Sequence, residues 1–310
     1  MRTGQSCPYP YPVRYGYFGS SLAWTPDGDV LTIDDEYQMR LSAPCGDRHQ
    51  DVMDWFPVQV SSIASQSADK RHGLLSDEQG YALFDLDTQA YRPLDVASPN
   101  LAGDGYSWSP DNRYLGIANL IDVINGFTVR LYVFDVASGD TVVSMQYRHR
   151  DGKGNVGGPL WLNTEQLLVR ETLDRGPLLV TLGEQLRVQE IMTELFRTTV
   201  NGMPFATAAS VGDDGVFHIV LSSFSYGEPA LEPSPVFVYH SDTGSVEELP
   251  FFDLIGLSPD SKWLLISRPA DPNGLPVSTC KPRRAATRAP VCCPMRTVRR
   301  RLGQRIRPTS

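Results

Sequence analysis

Short apolar stretches recur along this chain with hydrophobic and polar positions alternating, and breaks containing Pro, Gly, Asp or Asn separate them. An alternation of period two predicts half-buried β-strands rather than helices. One stretch repeats: Tyr106 to Ile117 reads YSWSPDNRYLGI, Leu22 to Ile33 reads LAWTPDGDVLTI, and Ile255 to Ile266 reads IGLSPDSKWLLI. Pro110 presets φ for the second position of a type I turn, and Asn112, like Gly28, tolerates a left-handed conformation. The expected product is a strand, a three-residue hairpin loop and a second strand. The shared register predicts Trp24, Trp108 and Leu257 in equivalent buried positions, with Pro26, Pro110 and Pro259 on exposed turns.

A second pattern accompanies the first. Leu131 to Asp140 reads LYVFDVASGD, Tyr81 to Ala90 reads YALFDLDTQA, and Val236 to Ser245 reads VFVYHSDTGS. Each is an alternating strand, an Asp or His, and a turn leading to another strand. Asp135 follows Asp111 by 24 residues (135 − 111), so both patterns belong to one unit. Four antiparallel strands in a unit of roughly 40 to 50 residues is the pattern of a β-propeller blade. The Trp-Ser-Pro-Asp pattern, with a strand ending in Phe-Asp, resembles the propeller repeats of the TolB-like group and of prolyl-oligopeptidase and dipeptidyl-peptidase N-terminal propellers. The resemblance covers about residues 17 to 271. It implies an all-β fold, a propeller of about six four-stranded blades, which the composition beyond Asp271 would leave incomplete at its C-terminal end.

The expected blades run from about Tyr17 to Gly46, Phe56 to Val96, Gly105 to Tyr147, Gly157 to Met192, Ala206 to Pro250, and from Leu254 to near Pro272. WLNTEQLLV takes the place of the Pro-Asp turn in the fourth, and Gly212 to Gly215 in the fifth. LGEQLRVQEIMTELF in the fourth is also compatible with a short helix.

Composition changes the picture at the ends. Residues 1–16, with their Pro-Tyr alternation, read as an extended arm. Beyond Asp271 the last 39 residues hold ten Lys or Arg, no acidic residue and three of the five cysteines. Residues 1–271 therefore carry 18 basic and 36 acidic side chains, a charge of −18, against +10 for residues 272–310, which sums to −8. Such asymmetry suggests either a tail for nucleic acid or anionic surfaces, or a segment foreign to the fold. Six prolines from Pro272 onward and no apolar alternation favour a disordered or out-of-frame tail that leaves the last blade with an unpaired edge.

Candidate chemistry is sparse. Gly152-Lys153-Gly154-Asn155-Val156-Gly157 matches a dinucleotide motif by letter, but Gly158 and Pro159 follow and no helix opens there, so it reads as a link between blades. His49, His72, His149, His218 and His240 lack metal-ligand spacing. The Asp34-Asp35-Glu36 and Asp213-Asp214 clusters lack a calcium-loop spacing and read as turn charges. No Gly-x-Ser-x-Gly elbow occurs, and Gly19-Ser20-Ser21 precedes a strand. Cys7 and Cys45 suit one disulfide at most, and Cys280, Cys292 and Cys293 make no zinc motif. No catalytic, cofactor-binding or metal-ligating residue, and no cofactor, is assigned.

No run of 18 apolar residues exists, so no membrane span is expected. The expected function is a non-enzymatic binding or scaffold module with a protein or peptide partner on a propeller loop face. Nucleic acid enters only through the basic tail. The alternatives are a regulatory propeller detached from a prolyl-oligopeptidase-like serine peptidase, or a small hydrolase working at the channel. The resemblance also implies an extracytoplasmic location.

Overall fold

A computed structural model of the chain describes residues 22–44, 48–96, 104–122, 128–148, 157–169, 177–191, 204–211, 217–223, 236–249, 253–257, 263–267 and 298–301. The chain divides into two compact units, residues 1–159 and 160–310. The fold is all-β: consecutive antiparallel sheets, each in the strand pattern of a β-propeller blade.

The first unit holds three four-stranded sheets in simple meander order. Sheet one contains β1 (Leu22–Trp24), β2 (Val30–Ile33), β3 (Met39–Ser42) and β4 (His49–Asp51). Sheet two contains β5 (Val60–Gln66), β6 (His72–Asp77), β7 (Tyr81–Asp85) and β8 (Tyr91–Leu94). Sheet three contains β9 (Gly105–Trp108), β10 (Tyr114–Asp122), β11 (Thr128–Asp135) and β12 (Thr141–Arg148). A 3-10 turn at Met53–Trp55 links the first two.

Alternation along the strands builds the core of this unit. Ile63, Leu75 and Phe84 of sheet two pack with Leu31, Ile33 and Met39 of sheet one, and Phe56 lies 4.6 Å from Phe84 between ring centroids. The intervening residues Leu74, Tyr81 and Leu83 pack instead with Leu115, Ile117, Tyr132 and Phe134 of sheet three. Sheet two is thus apolar on both faces, which is why Tyr81 to Phe84 read as a continuous buried run. Full burial of a side chain such as Phe84 contributes about 1.5–3 kcal/mol.

The second unit continues the series. Its first sheet contains β13 (Leu160–Trp161), β14 (Gln166–Val169), β15 (Leu178–Thr181) and β16 (Arg187–Glu190). Its second contains β17 (Pro204–Val211), β18 (Phe217–Ser223), β19 (Val236–His240) and β20 (Val246–Leu249). Its third has three strands: β21 (Asp253–Leu257), β22 (Trp263–Ser267) and β23 (Val298–Arg301).

Three expectations change here. The first sheet extends past Gly46, because His49–Asp51 pairs with Arg40–Ser42 as its fourth strand. Within the basic tail, Val298–Arg301 pairs antiparallel with Trp263–Ile266, where no strand is expected from the sequence. An outer strand needs only backbone donors and acceptors, which four proline-free residues supply without apolar alternation. The register reading of Trp24 also fails: it is 40% exposed, while Trp108 is half-buried. The buried motif residue is the next one, Thr25 or Ser109, at 8% and 1% exposure. Pro26 and Pro110 are exposed, as expected. The side chain of Leu257 and all of Pro259 lie outside the described residues.

Candidate functional site

In the three sheets of the first unit, the turn between first and second strands is held by a buried hydroxyl. In sheet three, Ser109 Oγ donates to Asp111 Oδ1 at 2.6 Å and accepts the Tyr114 N–H at 2.9 Å. Asp111 Oδ1 accepts the Arg113 N–H, and Asn112 closes the turn at φ 60° with its N–H on the Ser109 carbonyl. Thr25 does the same duty in sheet one, accepting the Asp29 N–H on Oγ1 at 3.0 Å, with Gly28 at φ 89°.

Sheet two contains a further copy that the Pro-Asp pattern hides. Ser67 Oγ donates to Asp69 Oδ1 at 2.6 Å and accepts the His72 N–H at 3.0 Å, and Lys70 stands at φ 65°. Ala68 occupies the proline position, so the signal to look for was Ser-x-Asp rather than Pro-Asp. Burial raises the Asp69 carboxyl, but the Ser67 hydroxyl, the Arg71 N–H and the charges of His72 and Arg71 together hold it below its ordinary value. Ser67 is therefore a turn clamp, bonded to a carboxylate and to backbone.

The same strand ends carry an aromatic and cationic group. Gln66 reaches from β5 to β1 and bonds both the N–H and the carbonyl of Trp24. Lys70 Nζ stands 5.6 Å over the Trp24 ring, a cation–π contact, and both side chains face solvent. Trp108 donates its indole N–H to Ser65 Oγ at 2.9 Å and stacks near the His72 ring, with centroids 6.5 Å apart. His72 Nε2 lies 3.8 Å from Asp85 Oδ2, and the buried His72 Nδ1 has no hydrogen-bond partner among the described residues. Burial raises the Asp85 carboxyl, yet the Thr88 and Asp87 N–H groups, the Thr88 hydroxyl and the charge of His72 hold it below its ordinary value. The arrangement presents an exposed indole on a backbone fixed by side-chain clamps.

At the other ends of these strands the polar groups are buried. Tyr81 Oη donates to Asp104 Oδ2 at 2.9 Å and lies 3.2 Å from Tyr106 Oη. Asp104 also accepts Asn119 Nδ2 at 3.0 Å and the Leu120 N–H at 2.8 Å. Burial first, then the charge of Asp104, pushes the Tyr81 phenol far above its ordinary value. Tyr91 Oη donates to Asp77, whose other oxygen holds the Gln79 and Gly80 N–H groups. These contacts fasten sheet to sheet and close turns.

The remaining sequence candidates disperse. Asp34 is buried, accepts the Glu36 and Gln38 N–H groups, and pairs with Arg40 at 2.9 Å, so this acidic cluster is a turn with an ion pair. Asp27 and Asp111 sit in the turns. His49 is exposed on β4, and His240 is the cross-strand partner of His218, with Nε2 3.6 Å from Glu247. Gly158 passes so close to β9 that an added Cβ would stand 2.4 Å from the Tyr106 carbonyl oxygen, which gives this link its glycine. His149, Asp213, Asp214, Asp260, the stretches 152–156 and 19–21, and all five cysteines lie outside the described residues. Among the described residues no group of three metal-ligating side chains converges.

No protein-family model matches the chain, and no curated protein matches it. Solved structures do. The chain is similar to Kuenenia stuttgartiensis hydrazine synthase at 14% identity and TM-score 0.41, covering 84% of this chain and 77% of that one. It is similar to TolB from Acinetobacter baumannii at 14% identity and TM-score 0.36, covering 80% and 57% respectively. A third likeness is to the β-propeller domain of the trilobed protease from Pyrococcus furiosus, at 11% identity and TM-score 0.44, covering 77% and 73%.

Proposed function

We propose that this chain is a non-enzymatic binding module, a propeller of the TolB-like type, that receives a protein or peptide segment at the turn face around Trp24. The observation that carries this reading is the exposed indole itself. Trp24 is 40% exposed, contacted by Lys70 and tied through its backbone to Gln66, so a large apolar surface is presented on a fixed backbone. Aromatic anchors on rigid backbone are what protein interfaces favour, because little entropy is lost when they are covered. The polar groups gathered elsewhere in the first unit hold turns and sheets, which supports a scaffold rather than a reaction centre. In this reading residues 17–271 form the propeller, 1–16 and 272–310 flank it, and β23 adds one strand from the tail. No helix among the described residues is long and apolar enough to cross a membrane.

The test is affinity capture by the purified full chain and by Trp24→Ala, with near-UV circular dichroism as the folding control. A partner that binds the parent and is lost by at least tenfold in affinity with Trp24→Ala supports the reading. Partners held equally by both, or stoichiometric labelling of one serine by a fluorophosphonate probe, overturn it, the second in favour of the hydrolase alternative.

A further inference from the structure

We propose that the chain pairs with a second copy of itself through the outer edge of β16, forming a continuous antiparallel sheet across a two-fold axis at Val188. Leu167 of β14, Val180 of β15 and Val188 of β16 are cross-strand neighbours on one face. The first two are fully buried, whereas Val188 is 45% exposed, and Leu186, just before the strand, is 46% exposed. All four residues of β16 are exposed, and no described strand pairs with its outer edge. The apolar row therefore continues past the point where its cover ends.

The other outer strands each carry a device that discourages a second copy. β4 is three exposed polar residues. β8 contains Pro93, which cannot donate to a ladder. β12 has a bulge at Val142, the residue skipped between the Val133↔Val143 and Phe134↔Thr141 pairs. β20 has Glu247 and Glu248 in its middle, and β23 has three consecutive arginines, so like charges would meet. β16 has one charge of each sign, Arg187 and Glu190, and no proline or bulge.

Register selects the pairing. With the two-fold axis perpendicular to the sheet, facing residues must share a face, so their numbers sum to an even value. Centring on Val188 sets Val188 against Val188, Leu186 against Glu190 and Arg187 against Gln189. The apolar row then runs Leu167, Val180, Val188, Val188, Val180, Leu167 across the joint, and no like charges oppose each other. Exposed edges unprotected in this way are the sites where chains pair.

Sedimentation velocity on the full chain from micromolar to submillimolar concentration is the test. The expected result is a reversible dimer whose dissociation constant rises at least tenfold in Val188→Lys, a change that keeps the backbone donor, while Val188→Ile preserves it. A Val188→Cys variant should form a disulfide between two copies of the same peptide, since facing Cα atoms in such a pair stand roughly 4.5–5.5 Å apart. Val142→Cys, equally exposed on the bulged β12, should not. A chain that stays monomeric at every concentration, a dimer indifferent to Val188→Lys, or equal cross-linking from both cysteines overturns the proposal.

Discussion

Replacing Tyr81 by Phe removes one oxygen from a site where it has a defined duty. Tyr81 is 2% exposed, and its hydroxyl donates to Asp104 Oδ2 at 2.9 Å. The phenyl ring stays, so its packing with Leu74, Leu115 and Phe134 survives. What is lost is a hydrogen bond to a buried carboxylate, about 1.5–3 kcal/mol. Asn119 Nδ2 and the Leu120 N–H still serve Asp104, which places the expected loss near the middle of that range, roughly 2 kcal/mol. Tyr106→Phe removes a partner only of Tyr81 and should cost less, about 0.5–1.5 kcal/mol.

The same substitution has a signature at high pH. Burial and Asp104 raise the folded-state value of Tyr81 above the ordinary phenol value of about 10. Above that pH the unfolded chain loses a proton that the folded chain keeps, so stability falls as pH rises. Tyr81→Phe should flatten this alkaline loss while lowering stability at neutral pH. Urea unfolding followed by circular dichroism between pH 7 and pH 11 reads both effects, and faster exchange of the Leu120 amide localises them. A neutral-pH change below about 0.5 kcal/mol with an unaltered alkaline slope would refute the assigned hydrogen bond.

Gly158→Ala should destabilise by about 2 kcal/mol or more, since its Cβ would meet backbone at 2.4 Å, and urea titration would show a shifted midpoint with an unchanged slope. Asp69 and Asp85 both lie below their ordinary range, so their contribution is present above the unfolded carboxylate values and lost as pH falls through the folded ones. Asp69→Asn with Asp85→Asn should therefore reduce the acid sensitivity of the unfolding midpoint. Arg40→Ala leaves the buried Asp34 without its cation and should cost roughly 1–3 kcal/mol, whereas Asp51→Ala, whose partner bond is 3.3 Å at an exposed carboxylate, should cost about 0–1 kcal/mol in the same assay.

The strands and their turns were legible because both signals are local. Alternation places side chains within a strand, and Pro-Asp followed by Gly or Asn closes a hairpin within five residues. The Ser67 turn was hidden because Ala68 replaces the proline, while its hydrogen bonds are those of Ser109. The shared register predicts burial of Trp24 and Trp108, but the motif buries the small hydroxyl one position later, which ties the turn, and leaves the indole at the margin of the sheet. The Tyr81, Asp104 and Asn119 cluster was not legible at all, since its members are 23 and 15 residues apart and meet only after sheets two and three pack. Nothing in the local sequence marks Val298–Arg301 as a strand either, because its pairing is supplied by the backbone of β22.

Parallel urea titrations of Ser67→Ala and Ser109→Ala test most directly the claim that one hydroxyl clamp, repeated in the first unit's sheets, organises their first hairpins. Both hydroxyls are buried, at 3% and 1% exposure, and each donates to a carboxylate at 2.6 Å while accepting a backbone N–H. The account predicts losses of about 2–4 kcal/mol for both, equal within about 1 kcal/mol, with the His72 and Tyr114 amides exchanging faster in the respective variants. A Ser109→Ala loss of that size beside a silent Ser67→Ala would contradict it, leaving the Pro-Asp sequence and not the clamp as the element that is shared.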